Sequence, residues 1–238
     1  MKIALIGYGK MGKTIEKIAV ERQHEIVLKV GIDNQDDWEN FPSDGADVAI
    51  EFTQPSVAVS NIKTSIDKGI PIVVGTTGWY EEYETVETYC KKKNGALIAA
   101  TNFSVGVNVF FALNEKLASL LAPHDSYNAQ IKETHHTEKL DSPSGTAISL
   151  AEGIINNHPS YDNWQNLANA AKGTLPINSI RKDDVKGTHE INYESAIDRI
   201  SIEHFAKNRN GFALGAVLAA EFISGKTGIY TMKDVLNI

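Results

Sequence analysis

The chain has 238 residues, of which 42% are hydrophobic and 22% are charged, and this composition is typical of a folded globular protein with one or two domains. It excludes a disordered or fibrous chain. Thirty acidic residues against 23 basic ones give a net charge of −7, so nucleic acid is not an expected partner.

Cysteine content and hydropathy narrow the class of protein further. The single cysteine, Cys90, excludes an internal disulfide and a cysteine-built zinc site. The N-terminus lacks the layout of a signal peptide, and no apolar run approaches the roughly 20 residues of a membrane span. We therefore expect a cytoplasmic protein without a membrane partner.

Short apolar runs alternate with helix-like segments through the first hundred residues. The predicted strands are Ile3–Ile6, Ile26–Ile32, Val48–Phe52, Ile70–Val74 and Ala96–Ala100. The predicted helices are Met11–Glu21, Ser56–Lys68 and Tyr80–Lys93. Such alternation indicates repeated βαβ units and a parallel sheet that is covered on both faces.

From about residue 127 the pattern changes to strands separated by long polar stretches. The predicted strands are Tyr127–Thr134, Ile180–Arg181, His189–Tyr193 and Arg199–His204, with one clear helix near Thr146–Asn156. A last apolar helix, Phe212–Ile223, is expected to return to the first domain. We therefore predict an α/β chain with a Rossmann-type parallel-sheet domain (residues 1–103 and 211–238) and a smaller α+β domain (residues 104–210).

A glycine-rich loop follows the first predicted strand and opens a helix. Gly7-Tyr8-Gly9-Lys10-Met11-Gly12 fits G-x-G-x-x-G, in which glycines allow a tight turn and let pyrophosphate approach the backbone at a helix N-terminus. The same loop, continued by Lys13-Thr14, also fits the nucleotide-binding pattern G-x-x-x-x-G-K-[ST]. The loop alone therefore leaves a dinucleotide enzyme and an NTPase open.

The end of the second predicted strand favours the dinucleotide. Asp33 follows Gly12 by 21 residues (33 − 12), about where a Rossmann-type domain places an acid for the ribose hydroxyls. Asp33 would repel a 2′-phosphate, and Asn34 follows it instead of an arginine that could pair with one. We therefore expect NADH or NADPH as the cofactor, with NADH favoured.

Three further turns lie at predicted strand ends, where open α/β sheets bind their ligands. They are Glu51-Phe52-Thr53-Gln54-Pro55, Gly75-Thr76-Thr77-Gly78 and Thr101-Asn102-Phe103-Ser104. Threonine, asparagine and aromatic side chains in such turns are suited to line a nicotinamide.

The segment Glu133–Ala147 contains the largest group of candidate catalytic and binding residues. It carries His135, His136 and Lys139, followed by Ser-Gly-Thr at a predicted helix start. Adjacent strand residues point to opposite faces, so the two histidines would not share a metal ion, and no third ligand is evident. An imidazole can deliver a proton near neutral pH, while a lysine and helix N–H groups bind carboxylates. We therefore predict a proton donor beside an anionic substrate and no metal site.

This segment is similar to the pattern E-x-H-H-x-x-K-x-D-x-P-S-G-T-A, and on it the chain resembles the 4-hydroxy-tetrahydrodipicolinate (dihydrodipicolinate) reductases of bacterial lysine and diaminopimelate biosynthesis. The resemblance extends along most of the chain and disfavours the NTPase. Other matching segments are Gly75–Gly78, Asn102–Asn108, Gly187–His189, Phe212–Ala216 and Ser224–Gly228. Two stretches depart from the family pattern: the glycine loop is one residue shorter than usual, and residues 33–47 are shortened.

The resemblance implies a role for each matching residue. His135 would be the acid/base residue and Lys139 the proton donor near the substrate imine, while His136, Ser144, Gly145 and Thr146 would join Lys139 in binding the substrate carboxylates. The residues implied in cofactor binding are Gly7, Tyr8, Gly9, Lys10, Met11, Gly12, Asp33, Gly75, Thr76, Thr77, Ala100, Thr101, Asn102, Phe103, Arg209 and Phe212.

The resemblance also implies the reaction and the assembly. The expected activity is hydride transfer from NAD(P)H to a small cyclic dicarboxylate, by a homotetramer whose second domain binds substrate and mediates oligomerisation. A non-catalytic module that senses NAD(H) is the alternative of another class, and it would not need the histidines, the lysine or the Ser-Gly-Thr turn.

Overall fold

The computed structural model describes residues 1–208 and 210–238, and the chain divides into two compact units. Unit 1 consists of Met1–Val105 and Asn210–Ile238, and unit 2 is formed by the residues between them, from Gly106. Arg209, one of the predicted cofactor residues, lies outside the described residues. None of the helices in the described part of the chain has the length and apolar character needed to cross a membrane.

Strands and helices are named in chain order. The strands are β1 (Lys2–Ile6), β2 (Glu25–Val30), β3 (Val48–Glu51), β4 (Ile72–Val74), β5 (Ala96–Ala99), β6 (Asn128–His135), β7 (Asn163–Gln165), β8 (Thr174–Arg181), β9 (Thr188–Glu194), β10 (Arg199–Phe205) and β11 (Gly228–Tyr230). The helices are α1 (Lys10–Glu21), α2 (Asp36–Asn40), α3 (Pro55–Lys68), α4 (Tyr83–Lys92), α5 (Val105–Leu121), α6 (Gly145–Ile155), α7 (Asn210–Ile223) and α8 (Met232–Leu236).

Unit 1 contains a parallel sheet with the strand order β11-β5-β4-β3-β1-β2. The five strands predicted in this half are confirmed, as are the helices α1, α3 and α4 between them. The sixth strand, β11, was not predicted, because its three residues are too few to show a strand period. The predicted α/β fold class with a Rossmann-type sheet is confirmed.

Helices cover both faces of this sheet. Ile3 and Leu5 of β1 pack with α1 and α7 on one face, whereas Ala4 and Ile6 pack with α3 and α4 on the other. This burial on both sides explains why the strands read as continuous apolar runs instead of alternating patterns.

Helix α7 approaches the rest of unit 1 closely enough to require glycine. A Cβ placed on Gly215 would lie 1.7 Å from the carbonyl oxygen of Phe103, far inside van der Waals contact. The absence of a side chain at this position lets the helix lie directly on the backbone of the turn after β5.

Unit 2 contains a mixed sheet with the order β10-β9-β6-β8-β7, in which β6, β9 and β10 are antiparallel neighbours and β6, β8 and β7 run parallel. Helix α6 packs on β6 and β8, and buried residues of α5 and α6 join the inward-facing strand residues in one core. The other face carries polar side chains such as Lys132, Glu190 and Glu203. This is the α+β domain that the sequence predicted.

Three elements of unit 2 correct the sequence prediction, and one of them, the three-residue strand β7, was not predicted at all. Helix α5 was missed because Val-Gly-Val-Asn-Val has several β-branched residues and a glycine, although its buried residues recur at helical spacing (Val107, Phe110, Asn114, Ala118 and Leu121). Strand β8 was predicted only at its last two residues, Ile180 and Arg181. Its first half contains Pro176, which lowers strand propensity, but the register with β6 and β7 holds it in the sheet.

Candidate active site

The register of the mixed sheet brings a carboxylate and two imidazoles together. Glu133 and His135 are two residues apart on β6, so both point to the same face of the sheet. His189 of β9 is paired directly opposite Glu133 and therefore faces the same way. All three side chains are buried.

Glu133 is the centre of this cluster. The backbone N–H of Ser144 donates to both carboxylate oxygens, at 3.1 and 3.2 Å. His135 Nδ1 lies 3.4 Å and His189 Nε2 3.7 Å from Oε2, while a guanidinium nitrogen of Arg181 lies 3.6 Å from Oε1. Burial alone would raise the pKa of Glu133, but its hydrogen bonds, chiefly those from Ser144, outweigh burial and lower the pKa. The carboxylate is therefore ionised and can orient a neighbouring imidazole.

His135 is a neutral imidazole with one edge kept open. Burial lowers its pKa, and the cations Lys139 and Arg181 lower it further against the opposing charge of Glu133. A Cβ on Gly187 would lie 3.2 Å from His135 Nε2, so a side chain at that position would crowd this edge of the ring. His135 thus has the Glu133 carboxylate 3.4 Å from its Nδ1, without a hydrogen bond between them, and space on its Nε2 side.

Lys139 lies in the loop after β6, where its ammonium donates to both oxygens of Asp141, at 2.7 and 2.8 Å. Arg181, the last residue of β8, holds this loop by donating to the carbonyl oxygens of Asp141 at 2.6 Å and Lys139 at 3.4 Å. The Lys139 side chain as a whole is 23% exposed. Arg181 therefore holds the loop that keeps the Lys139 ammonium near the histidines.

The N-terminus of α6 completes the cluster. Ser144 caps the helix by accepting a hydrogen bond from the Ala147 N–H at 3.2 Å, and its Oγ lies 3.2 Å from His189 Nε2. Gly145 follows in open space, with no atom within 4 Å of a Cβ placed on it, and Thr146 is half-buried. Free N–H groups of a first helical turn attract carboxylates, so this end of the helix is suited to an anionic ligand.

The predicted residues of unit 2 thus lie around Glu133, although no described contact places His136 there. His136 immediately follows the last residue of β6, and its Nδ1 is buried without a hydrogen-bond partner in the described chain. Three residues that were not predicted belong to the cluster: Glu133, Arg181 and His189. Glu133 was detectable as the residue two before His135, but Arg181 and His189 arrive through strand pairing.

The Glu133, His135 and His189 ligand atoms lie within 4.8 Å of one another, a spacing that could hold a metal ion. The surroundings argue against this use. The carboxylate already accepts two bonds from Ser144 and faces Arg181, and Lys139 adds a second positive charge nearby. We therefore interpret the three side chains as a charge and proton network.

In unit 1 the glycine loop has the geometry that a dinucleotide pyrophosphate needs. Gly7 has φ +102°, and a Cβ there would lie 2.0 Å from the Phe52 carbonyl oxygen, while a Cβ on Gly12 would lie 2.4 Å from that of Gly7. Gly9, by contrast, is the N-cap of α1 and has open space around it. Two glycines thus allow the loop to fold, and the third leaves the helix N-terminus accessible to phosphate.

The other residues of this loop differ in exposure. Lys10 is exposed on the first turn of α1, whereas Met11 is half-buried. The Tyr8 hydroxyl donates a hydrogen bond to Glu16 of α1, and Glu16 also pairs with Lys29 of β2 at 2.5 Å. The Tyr8 ring is therefore held against α1 and β2.

Most of the remaining residues that were predicted to bind the cofactor lie in turns at the carboxyl ends of β2, β4 and β5. Asp33 is exposed in the turn after β2, and Thr77 is exposed after β4. Thr76 and Phe103 are buried: Thr76 accepts the Thr53 N–H at 2.7 Å, and the Phe103 ring packs on Phe52 at 5.9 Å between centroids.

Three turn residues and one helical residue complete the set. Ala100 and Asn102 are half-buried, Thr101 is exposed, and Phe212 is half-buried in the first turn of α7. Asn102 shapes its turn by accepting the Ser104 N–H at 2.9 Å.

His189 gives the fold a predictable acid sensitivity. Its burial, together with His135 nearby, lowers the pKa to about 4, whereas an unfolded histidine titrates near 6.5. Between pH 6.5 and pH 4 only the unfolded chain binds a proton at this histidine. The contribution of His189 to the free energy of unfolding is therefore full above pH 6.5 and is lost as the pH falls toward 4. We expect urea unfolding at pH 7.5 and pH 5.0 to show a loss of about 2 kcal/mol from this group.

His189→Gln should remove that contribution and so reduce the loss of stability between pH 7.5 and pH 5.0 by about 2 kcal/mol. His124 is exposed, so His124→Gln is the matched control and should keep the wild-type slope. An unchanged slope in His189→Gln would show that His189 is not held neutral in the folded protein.

The fold and the two groups of residues define an oxidoreductase with a dinucleotide-binding parallel-sheet unit and a separate α+β unit. The chain belongs to the dihydrodipicolinate reductase family: the N-terminal family model matches residues 1–103 and the C-terminal model matches residues 106–236. The family resemblance predicted from the sequence is therefore confirmed.

Individual relatives agree with this assignment. The chain is 51% identical over 239 aligned residues to the 4-hydroxy-tetrahydrodipicolinate reductase of Christiangramia forsetii, covering 100% of this chain and 98% of the relative. It is 32% identical to the enzyme of the same name from Neisseria meningitidis, over 94% of this chain and 84% of that one. The solved structure of a dipicolinate-bound dihydrodipicolinate reductase from Paenisporosarcina has the same fold, with a TM-score of 0.76, 22% identity and 97% coverage of both chains.

Proposed function

We propose that this protein reduces the cyclic, dihydrodipicolinate-type precursor of lysine and diaminopimelate biosynthesis to tetrahydrodipicolinate. The observation that carries the proposal is the cluster of Glu133, His135, Lys139 and Ser144 in a chain half identical to a curated reductase over its full length. When bound, the nicotinamide dinucleotide supplies the hydride. Side chains and backbone N–H groups of the protein bind the substrate and supply the proton.

The substrate carboxylates are bound by the first turn of α6 and by Lys139. Gly145 and Thr146 lie at the helix N-terminus, where the N–H groups and the helix dipole favour negative charge. The Lys139 ammonium, paired with Asp141 in the free protein, turns to a substrate carboxylate or imine. A dicarboxylate thus meets two separate cationic or N–H-rich positions, with His136 as a further polar contact.

Protonation of the reduced ring is assigned to His135 and Lys139. His135 is neutral in the free protein, and a dianionic substrate beside it raises the affinity of the ring for a proton. The Glu133 carboxylate, 3.4 Å from Nδ1, stabilises the charged form of the imidazole. His135 therefore gains a proton when substrate arrives and can deliver it to the ring as hydride is added.

The test is a spectrophotometric assay with freshly generated substrate. Oxidation of NADH or NADPH that depends on the dihydrodipicolinate precursor is the expected result. NADH binding with no oxidation would instead support the alternative of a module that senses NAD(H). If neither cofactor binds, the proposed function and the cofactor site are both wrong.

NADH is the proposed cofactor in preference to NADPH. Asp33 is exposed in the turn after β2, and Asp36 and Asp37 follow within four residues. The Asn34 side chain is already bonded to Gly31 N–H at 2.7 Å and to Asp37 at 2.7 Å, so it is not available to a phosphate. We expect kcat/KM for NADH to exceed that for NADPH by about tenfold at low salt, because like charges in this position repel.

Asp33→Asn should lower the ratio of kcat/KM for NADH to kcat/KM for NADPH severalfold, mainly by raising kcat/KM for NADPH. Glu84→Gln, which removes an exposed acid from α4 of the same unit, is the charge-matched control and should leave the ratio unchanged. Equal use of both cofactors by the wild-type protein would contradict the preference.

We also propose a cytoplasmic homotetramer. The mixed sheet has one polar face that no helix in the described residues of unit 2 covers, and such a face is suited to pairing with another subunit. Light scattering should give four times the chain mass of 26.0 kDa. A monomeric mass would overturn this part of the proposal.

A further inference from the structure

Glu51 is a buried carboxyl group between two of the cofactor turns. It is the last residue of β3 and pairs with Ile6 at the end of β1 and with Val74 at the end of β4. The glycine loop follows Ile6, and Gly75 to Thr77 follow Val74. Glu51 is 0% exposed, so the chain places an acid inside the sheet where both turns begin.

A small network joins this acid to the two turns. The Thr53 hydroxyl donates to Glu51 Oε1, and the Asn61 amide of α3 lies 3.5 Å from the same oxygen. The Thr53 backbone N–H in turn donates to the Thr76 hydroxyl at 2.7 Å, while the methyl carbon of Thr53 lies 3.0 Å from a Cβ placed on Gly7. Thr53 therefore contacts both turns, and Glu51 fixes the rotamer of Thr53.

A buried acid such as Glu51 does not stabilise the core of unit 1. Its partners Thr53, Asn61 and Thr76 are uncharged, and Oε2 has no hydrogen-bond partner within the described chain. Burial raises the pKa of Glu51 against these hydrogen bonds. An apolar residue would avoid the cost of burying this polar group, which indicates that the position is kept for another purpose.

We propose that Glu51 is a positioning residue for the dinucleotide: its carboxyl oxygen orients Thr53, which holds the turn after β4 and the glycine loop in the shape that binds the cofactor. The inference rests on the proposed function, since it presumes that unit 1 binds NADH. Thr53 transmits the effect through its N–H bond to Thr76. Glu51 itself does not contact the cofactor or the reacting atoms.

Two substitutions separate positioning from stability. Glu51→Met keeps an unbranched side chain but removes the acceptor, whereas Glu51→Gln keeps a carbonyl oxygen at the same place. In full-length protein, fluorescence titration should show that Glu51→Met weakens NADH binding about five- to tenfold, the loss typical of one buried hydrogen bond, with Glu51→Gln within about twofold of wild type. The melting temperature of Glu51→Met should be unchanged or higher, because an apolar group replaces a buried acid.

Kinetics provide the second readout. With NADH saturating, kcat and the KM for the dicarboxylate should stay within about twofold of wild type in Glu51→Met, because the substrate residues are in unit 2. Thr53→Val, a nearly isosteric change, should weaken NADH binding to a similar extent. The double variant should be no worse than either single one, since both remove the same interaction.

Three results would overturn the inference. Equal NADH affinity in wild type and Glu51→Met would show that the acceptor has no role, as would a Glu51→Gln variant as weak as Glu51→Met. If Glu51→Met does not fold, wild-type affinity in Thr53→Val has the same meaning. Failure of the wild-type protein to bind NADH would instead overturn the proposed function together with this inference.

Discussion

Replacing His135 with glutamine is expected to lower kcat roughly 100- to 1000-fold, the usual loss when a general acid is removed. Glutamine keeps much of the volume and hydrogen-bonding capacity of the ring but cannot take up or release a proton near neutral pH. Because His135 is in unit 2 and the glycine loop is in unit 1, the NADH dissociation constant should stay within about twofold of wild type. Stopped-flow measurement of NADH oxidation and a fluorescence titration check the two expectations separately.

Folding must be excluded as the cause of the loss. Glutamine at position 135 would still face Glu133, so the melting temperature should change by only a few degrees. His124→Gln removes an exposed imidazole of the same unit and should retain wild-type turnover. Wild-type turnover in His135→Gln would remove this histidine from the chemistry and leave Lys139 as the proton donor.

The sequence predicts well those parts of the molecule whose residues are close together in the chain. The glycine loop is recognisable because its turn, its phosphate approach and its helix start occupy six consecutive residues, Gly7 to Gly12. The segment Glu133–Ala147 likewise carries its strand end, loop and helix cap in one stretch, so His135, Lys139 and Ser144 could be predicted together. The βαβ alternation of unit 1 has the same local character.

The place of residues that arrive in the site through strand pairing could not be predicted. His189 reaches Glu133 only because β9 pairs with β6, and Arg181 only because β8 lies on the other side of β6. Neither register is encoded in a short motif. Glu51 shows the same limit, since a strand pattern predicts that Val48–Phe52 is buried but not that an acid inside it joins two turns.

Replacing Gly215 with alanine is expected to lower the free energy of unfolding by about 3 kcal/mol or more. The added Cβ would lie 1.7 Å from the Phe103 carbonyl oxygen, and neither partner can rotate away because both belong to the backbone. Relief requires α7 to move outward, which opens the core formed by Ala213, Ala216 and Val217 with the sheet. Alanine is otherwise the better helix former, so the sign of the result tests the close approach directly. Urea unfolding at pH 7.5 measures the difference.

Gly145→Ala is the matched control for this measurement. It also adds one methyl group to a helical glycine, but nothing lies within 4 Å of the new Cβ, so stability should stay within about 0.5 kcal/mol of wild type or rise slightly. A Gly215→Ala protein as stable as Gly145→Ala would mean that α7 does not lie on the turn after β5. A loss confined to Gly215→Ala would instead show that the close approach at this position is needed for α7 to pack on unit 1.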